Sequence, residues 1–416
     1  MKKLLFCLII LTFSGSSFSV FRLGSVSINL FRIAFGLFCL AALLYARPKN
    51  LNFPGKGFYK LLLFAIGAVL MLTFMFVYSI PEWIEGTLFM VINLLLILFI
   101  VMFTDDINDV NNYMKAYAIG VLINMIISVY EYSTRTHVIS SNYLAAYEMG
   151  TWQYSTLSKA PTALLYNPNN VGVAVLLGLP YIGAFADKKT ESVSLVKKSV
   201  WFLLCAYVAF ATGSRGSILL IFVVIFAYIL LERIRTSKKL FGIIAIVFVV
   251  CVVAYANSEF ILKQLGYSGL AGQDTIIDAT TDKSRIDNIV GGFEAVKNNW
   301  FFGSGPMSAE RALYKTIGKN FSIHNFWVEW LITMGLPGMI CFLMMYIRAI
   351  KSMFRSKTYQ SKVVLVSLLT FMAASMIPPT IITLNFVWII FGFSIAIEKL
   401  DLLESEKANV NTNVSV

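Results

Sequence analysis

The sequence predicts an all-α polytopic membrane protein with about twelve transmembrane helices, both termini in the cytoplasm, and one long polar loop facing away from it. Composition is the first observation behind this. The 416 residues are 58% hydrophobic and 13% charged, with a mean hydropathy of +0.75, whereas soluble domains run near half apolar and a quarter charged. Periodicity is the second: apolar runs of span length, roughly 17–25 residues, recur along nearly the whole chain and suit a hydrocarbon core roughly 30 Å thick. The third is the one-sided placement of the basic residues.

The apolar runs fall at 4–20, 28–46, 59–79, 86–103, 112–130, 168–186, 199–213, 216–231, 240–257, 325–347, 362–378 and 381–397. The first follows Met1-Lys2-Lys3 and ends in Ser14-Gly15-Ser16-Ser17, so it also reads as a secretory signal peptide. Parity argues against cleavage, because losing this span leaves the topology odd. Residues 1–416 are expected to form a single integral membrane domain. Cys7, Cys39, Cys205, Cys251 and Cys341 lie in apolar runs without CxxC spacing, which argues for packing rather than a disulfide framework or thiolate metal site.

Orientation follows from Lys and Arg in the short loops. With the N-terminus inside, the inside segments hold 22 of the 34 basic residues and 10 of the 22 acidic ones, so the whole net charge of +12 lies on the cytoplasmic face. Topogenesis therefore explains the charge, and nucleic-acid binding is not needed. The weak link is the loop Thr104–Asn112 with Asp105, Asp106 and Asp109.

Two outer segments exceed what connection requires: a first outer loop at 131–166 and a long extracytoplasmic loop at 258–323, between spans nine and ten. Loops this long are uncommon unless functional or disordered. The longer one spans 66 residues with seven basic and seven acidic side chains. Within it Ile286, Ile289, Val290, Phe293 and Val296 form a helical stripe, expected to lie on the membrane or across the bundle mouth. A second short helix is expected at Met307–Ile317, with Ser308 as N-cap.

No Walker loop, dinucleotide fingerprint, HExxH or serine elbow is present, and the chain has two histidines. The informative polar residues gather on the outer face. Arg215 sits in the turn Gly213-Ser214-Arg215-Gly216 against the positive-inside trend; it reads either as a headgroup-snorkelling residue or as an anion ligand, since guanidinium forks match phosphate oxygens. Arg285, just before the amphipathic stripe, reads as a solvated loop charge or a second anion ligand. Gly303-Ser304-Gly305-Pro306 is a turn where backbone can approach a ligand closely. His324 stands where the long loop re-enters the membrane. A neutral imidazole accepts a proton from a sugar hydroxyl, and its place at a helix N-terminus disfavours the imidazolium. Asn325 reads as a helix cap or a sugar contact. Glu329, one turn on, is a buried carboxylate wanting a partner, either His324 or an arginine. Asn167 and Asn169 open span six and read as helix-start chemistry or as sugar-binding amides. Arg135 and His137 read as surface residues.

Taken in order, Tyr166-Asn167-Pro168-Asn169, Gly213-Ser214-Arg215-Gly216, Arg285 with Phe302-Gly303-Ser304-Gly305, His324-Asn325 and Gly335-Leu336-Pro337-Gly338 resemble the O-antigen ligase and polymerase superfamily of bacterial surface-polysaccharide enzymes. The resemblance covers residues 160–350. It implies a metal-independent, inverting glycosyltransferase of the bacterial cytoplasmic membrane, needing no cofactor and acting at the outer face. The implied donor is a glycan on undecaprenyl pyrophosphate, and a chain-length regulator and a flippase are the candidate partners. By matching position, Arg215 and Arg285 would bind the pyrophosphate, and His324 would orient or deprotonate the attacking hydroxyl. Asn167, Asn169, Asn325, Glu329, Gly303 and Gly305 are the candidate substrate contacts. Two readings within the family stay open: a polymerase joining repeat units, and a ligase passing the chain to lipid A–core, with the polymerase favoured. From other classes, a twelve-span transporter or flippase fits the span count but not the position of the long loop, and a structural or signalling role predicts harmless substitutions at Arg215, Arg285 and His324.

Overall fold

The computed structural model describes residues 1–14, 19–23, 26–45, 57–139, 160–186, 191–233, 287, 289–318 and 323–414. The expected span at 240–257 and residue Arg285 lie outside the described residues. The helices are α1 (Lys2–Leu11), α2 (Leu30–Tyr45), α3 (Phe58–Leu72), α4 (Ile80–Met102), α5 (Ile107–Thr134), α6 (Pro168–Ala186), α7 (Glu191–Ala211) and α8 (Arg215–Arg233). They continue with α9 (289–298), α10 (Ala309–Ile317), α11 (Phe326–Arg355), α12 (Tyr359–Ala374) and α13 (Asn385–Val414). Among the described residues four helical stretches are long and apolar enough to cross a membrane: Phe58–Phe76, Ile80–Met102, Ile107–Thr134 and Phe326–Arg355. The protein is an α-helical membrane protein.

Several expected boundaries move. The run at 4–20 is helical only from Lys2 to Leu11, with a 3₁₀ turn to Ser14. Ten helical residues rise about 15 Å, half a hydrocarbon core. The chain then forms an antiparallel hairpin of β1 (Ser19–Leu23) and β2 (Val26–Asn29), with Leu23 opposite Val26. The β-branched and aromatic content of Ser19-Val20-Phe21-Arg22-Leu23 suits a strand better than a helix end. Toward the C-terminus, α12 ends at Ala374 and α13 begins at Asn385. The ten residues between, expected to be mostly span, are non-helical, and Pro378-Pro379 removes the donors a continuing helix needs.

Side-chain ties sort the helix ends into two groups. At one end Lys2 Nζ lies 2.7 Å from Asp105 and 2.5 Å from Asp109, and Lys399 Nζ donates to the carbonyls of Val101 and Thr104. Arg348 pairs with Glu398 at 2.6 Å, and Tyr59 donates to the same carboxylate. The acidic α4–α5 loop, the weak link in the charge argument, is thus matched with basic residues. The opposite end gathers the end of α3, the start of α4, the end of α5 and the start of α11. There Trp83 donates to Thr73 and Arg311 of α10 pairs with Glu82 at 2.6 Å.

Helix α6 is buried on all sides between α5, α7, α8 and α12. Val171, Val173–Leu177 and Leu179 have no exposed surface, as expected of a helix apolar all round. Helix α13 packs along α4, pinned by Asn93, which donates to the Ile382 carbonyl at 2.8 Å and accepts from Asn385 at 2.6 Å.

The described part of the long loop folds as a small module on the first half of α11. Ala295 and Val296 of α9, Ala312 and Leu313 of α10, and Val328 and Ile332 of α11 form its own apolar cluster. The buried face of α9 differs from the expected stripe: Val290 and Phe293 are 55% and 58% exposed, while Gly291, Gly292, Ala295 and Val296 are buried. The reason is close approach. A Cβ on Gly291 would meet Ile317 at 2.8 Å, and one on Gly292 would meet Val328 at 2.6 Å, so the small residues face the module and the large ones face outward. Helix α10 starts at Ala309 with Ser308 at the cap position, but the Ser308 hydroxyl turns back to Gly305 and Ser304 instead of capping.

Helix α11 is broken at Gly335, whose φ of 67° and ψ of −173° are open to glycine alone. Pro337 has no N–H for the Thr333 carbonyl one turn earlier, and the Leu336 N–H goes to Phe301 O at 2.9 Å. That leaves the Ile332 and Thr333 carbonyls without their helical donors. The strap 301–305 supplies them: Ser304 N donates to Ile332 O and Gly305 N to Thr333 O, both at 2.9 Å.

Candidate functional site

His324 precedes α11 with a left-handed backbone, φ 49°, which is uncommon for a residue other than glycine and persists only where the surroundings hold it. Its Nδ1 lies 3.0 Å from the carbonyl oxygen of Ile377, in the non-helical segment 375–384. A carbonyl only accepts, so Nδ1 carries a proton, and in the neutral ring Nε2 then holds the lone pair. That tautomer is the one a base needs if Nε2 is to take a proton from an alcohol.

Asn325 caps α11: its side-chain oxygen accepts from Trp327 N at 3.0 Å and Val328 N at 3.3 Å. Its amide nitrogen is the part left for another role. Glu329 is 6% exposed. Its partners are neither His324 nor an arginine, as expected from the sequence, but Thr380, whose hydroxyl donates to Oε1, and Ile381, whose N–H donates to Oε2 at 3.2 Å.

On the other side of α12, Asn167 starts α6 by accepting from Asn169 N at 2.8 Å through its side chain. Asn169 is half-buried. Asn170 donates to Leu165 O at 3.0 Å. Arg215 is the first residue of α8, two residues after Gly213, which takes φ 65°; its side chain lies outside the described ones. The α7–α8 turn and the start of α6 are in close contact, since a Cβ on Gly172 would lie 2.1 Å from Ser217 Oγ.

Helix α12 links these two groups. It packs on α6 and α8 and also on α11. Its first residue, Tyr359, shares a hydrogen bond of 2.8 Å with Tyr228 near the far end of α8. The two helices therefore run antiparallel, and the Arg215 end of α8 lies at the same end of the bundle as segment 375–384 and His324. The fold brings Asn167, Asn169, the backbone of Arg215, His324, Asn325 and Glu329 to that one end. Gly303 and Gly305 share this end, but their backbone approaches the break in α11: a Cβ on Gly303 would lie 2.0 Å from Thr333 O.

Two residues here were not singled out by sequence reasoning or were read differently. Glu131, near the end of α5, is 2% exposed and accepts from Val138 N at 3.0 Å and from Thr162 N and Ala163 N at 2.8 Å each. His137 is no surface residue: its side chain is 10% exposed, with Nδ1 3.5 Å from Glu131 and 3.2 Å from Thr162 Oγ1. Arg135 stays exposed, its guanidinium 4.3 Å above the Tyr132 ring. The one sequence signal was a carboxylate just past an apolar run. Glu131→Ala strands the buried N–H groups of Thr162 and Ala163, at about 1–3 kcal/mol each, and removes the partner of the part-buried Val138 N–H. The expected result is faster hydrogen exchange across 160–166 and a lower unfolding temperature, read by exchange mass spectrometry and thermal melting of the purified protein.

Among the described residues, no group of three or more His, Cys, Asp and Glu side chains is gathered as metal donors. Residues 200–343 match a family model described as O-antigen ligase. The stretch runs from α7 through the Arg215 turn and the long loop to His324 and the broken part of α11. The chain is also 25% identical to the teichuronic acid biosynthesis protein TuaE of Bacillus subtilis (strain 168), over 94% of this chain and 83% of that protein. Over the matched stretch, the resemblance to the O-antigen ligase and polymerase superfamily read from the motifs is shown.

Proposed function

We propose that this protein is a membrane-embedded glycosyltransferase of surface-polysaccharide assembly that polymerises undecaprenyl-pyrophosphate-linked repeat units at the outer face of the bacterial cytoplasmic membrane. One observation carries the chemistry. His324, inside the family-matched stretch, has Nδ1 on the Ile377 carbonyl, so that in the neutral ring Nε2 is the basic nitrogen. The match and the relative named for teichuronic acid biosynthesis support the class of product.

In this reading a hydroxyl of the acceptor attacks the anomeric carbon of the donor. The new C–O bond forms opposite the breaking bond to pyrophosphate, which inverts the centre. His324 Nε2 takes the hydroxyl proton, and Arg215 and Arg285 neutralise the charge gathering on the departing diphosphate. Two guanidinium forks suit a diphosphate leaving group without calling on a metal ion. The topology that goes with it has twelve spans, the basic end with Lys2, Arg348 and Lys399 in the cytoplasm, and the His324 end outside.

The family description favours a second reading, a ligase that passes finished chains to an acceptor such as lipid A–core. Deleting the gene separates the two. A polymerase leaves single repeat units, whether lipid-linked or on the acceptor; long lipid-linked chains beside bare acceptor would overturn it in favour of the ligase. Arg215→Ala and Arg285→Ala are each expected to remove long-chain glycan at normal protein level, with Arg→Lys recovering part of it. A wild-type glycan ladder from either alanine variant would overturn the assignment of these arginines.

A further inference from the structure

We infer that Glu329 is a positioning residue that fixes the tautomer and orientation of His324 by clamping the segment between α12 and α13. The inference rests on the reading of His324 as the base, and it gives Glu329 a different part from the substrate contact expected from sequence.

The clamp has two jaws, both on the first turns of α11. Phe326 N donates to Ser375 O at 3.0 Å and holds the start of the segment. The Glu329 carboxylate holds its far part by accepting from the Thr380 hydroxyl and from Ile381 N. Ile377, whose carbonyl lies 3.0 Å from His324 Nδ1, sits between the jaws. Within the segment, Ile377 N returns to Ala374 O at 3.1 Å. The carbonyl that sets the ring is thus fixed from both sides by the helix that starts two residues after that ring.

Burial makes the arrangement specific. A carboxylate 6% exposed at the head of an apolar helix must have its acceptors filled, and both donors come from this one segment. Removing it frees the Thr380 hydroxyl and the Ile381 N–H, and the hold from α11 is then Phe326 alone, with Asn93 of α4 still on the Ile382 carbonyl. The Ile377 carbonyl is then held opposite Nδ1 from one side, through Ser375 and Ala374, and the contact that favours the Nδ1–H tautomer is weakened. Glutamine keeps the geometry: its carbonyl accepts from Ile381 N, and its amide donates to the Thr380 oxygen.

The test uses the full-length protein in lipid nanodiscs. With two histidines in the chain, ¹⁵N-histidine labelling resolves both rings, and His137→Asn assigns them. The wild type and Glu329→Gln are expected to show His324 as the Nδ1–H tautomer. Glu329→Ala is expected to shift it toward a mixture with Nε2–H. On a lipid-pyrophosphate-linked repeat unit, Glu329→Ala should lower kcat about 100-fold with little change in donor KM, the cost of a misplaced group, and Glu329→Gln should recover most of it. A wild-type tautomer in Glu329→Ala overturns the inference. A raised KM at unchanged kcat also overturns it, in favour of substrate contact, and a lowered melting temperature with unchanged kcat overturns it in favour of stability alone. The spectra need no turnover, so a wild type inactive on this donor would sink the proposed function while the tautomer result stood by itself.

Discussion

His324→Asn is expected to slow glycosyl transfer by about 10²–10⁴-fold, the range that a positioned base contributes, while the protein folds and accumulates as the wild type does. Asparagine is the informative replacement. The backbone at 324 is left-handed, a conformation asparagine tolerates better than alanine. Its amide nitrogen can donate to the Ile377 carbonyl as Nδ1–H does, so the clamp on segment 375–384 stays closed. What it lacks is a nitrogen lone pair to receive the hydroxyl proton. The measurement is turnover of a lipid-pyrophosphate-linked repeat unit by purified protein, paired with a thermal melt. Turnover within about threefold of wild type at an unchanged melting temperature would remove His324 from the chemistry and leave the family motif without its base.

How far the sequence reaches toward this site depends on where each partner lies. Membrane character and the positions of most helices follow from apolar runs, because lipid forces every spanning backbone to satisfy itself locally. Caps are equally local: Asn325 and Asn167 serve donors two and three residues on, and sequence reasoning had both as helix starts. The errors begin where partners are remote. Glu329 needs partners, but they lie 51 and 52 residues away, Thr380 in the short link expected between the last two spans and Ile381 at the expected start of the last one. Glu131 and His137 are joined through Thr162, 31 and 25 residues along, and nothing in the local pattern announces that. Helix α9 shows a subtler failure. Its larger apolar residues form a proper stripe, yet packing chose the face with Gly291 and Gly292, because close approach outweighs side-chain size there. The Gly335-Leu336-Pro337-Gly338 motif was legible as a family mark, but its work, opening α11 to the strap, depends on residues 301–305.

That strap sets the second large effect. Gly303→Ala is expected to destabilise the protein by about 3–5 kcal/mol. A Cβ at 303 would lie 2.0 Å from Thr333 O and 2.6 Å from Gly335 N; both are backbone atoms, so no side chain can swing aside. Moving the strap away breaks the bonds from Ser304 N and Gly305 N to the Ile332 and Thr333 carbonyls. Neither carbonyl has a substitute, because Pro337 offers no N–H and Leu336 N is turned toward Phe301. Two carbonyls without donors inside an apolar helix cost about 1–3 kcal/mol each, before any strain. Gly335→Ala should do comparable harm from the other side, since its backbone conformation is closed to residues with a Cβ and the added atom would meet Gly303 N and Phe301 O at 2.5 Å. Pro337→Ala, by contrast, adds a donor where both carbonyls are already served, and is expected to change stability by no more than about 1 kcal/mol. Thermal unfolding of the three variants in one detergent tests the ordering. A Gly303→Ala protein melting with the wild type would mean that the strap does not hold the break. Because α11 is capped by Asn325, carries Glu329 in its first turn and starts two residues after His324, loss of the strap should also lower turnover in whatever protein remains folded.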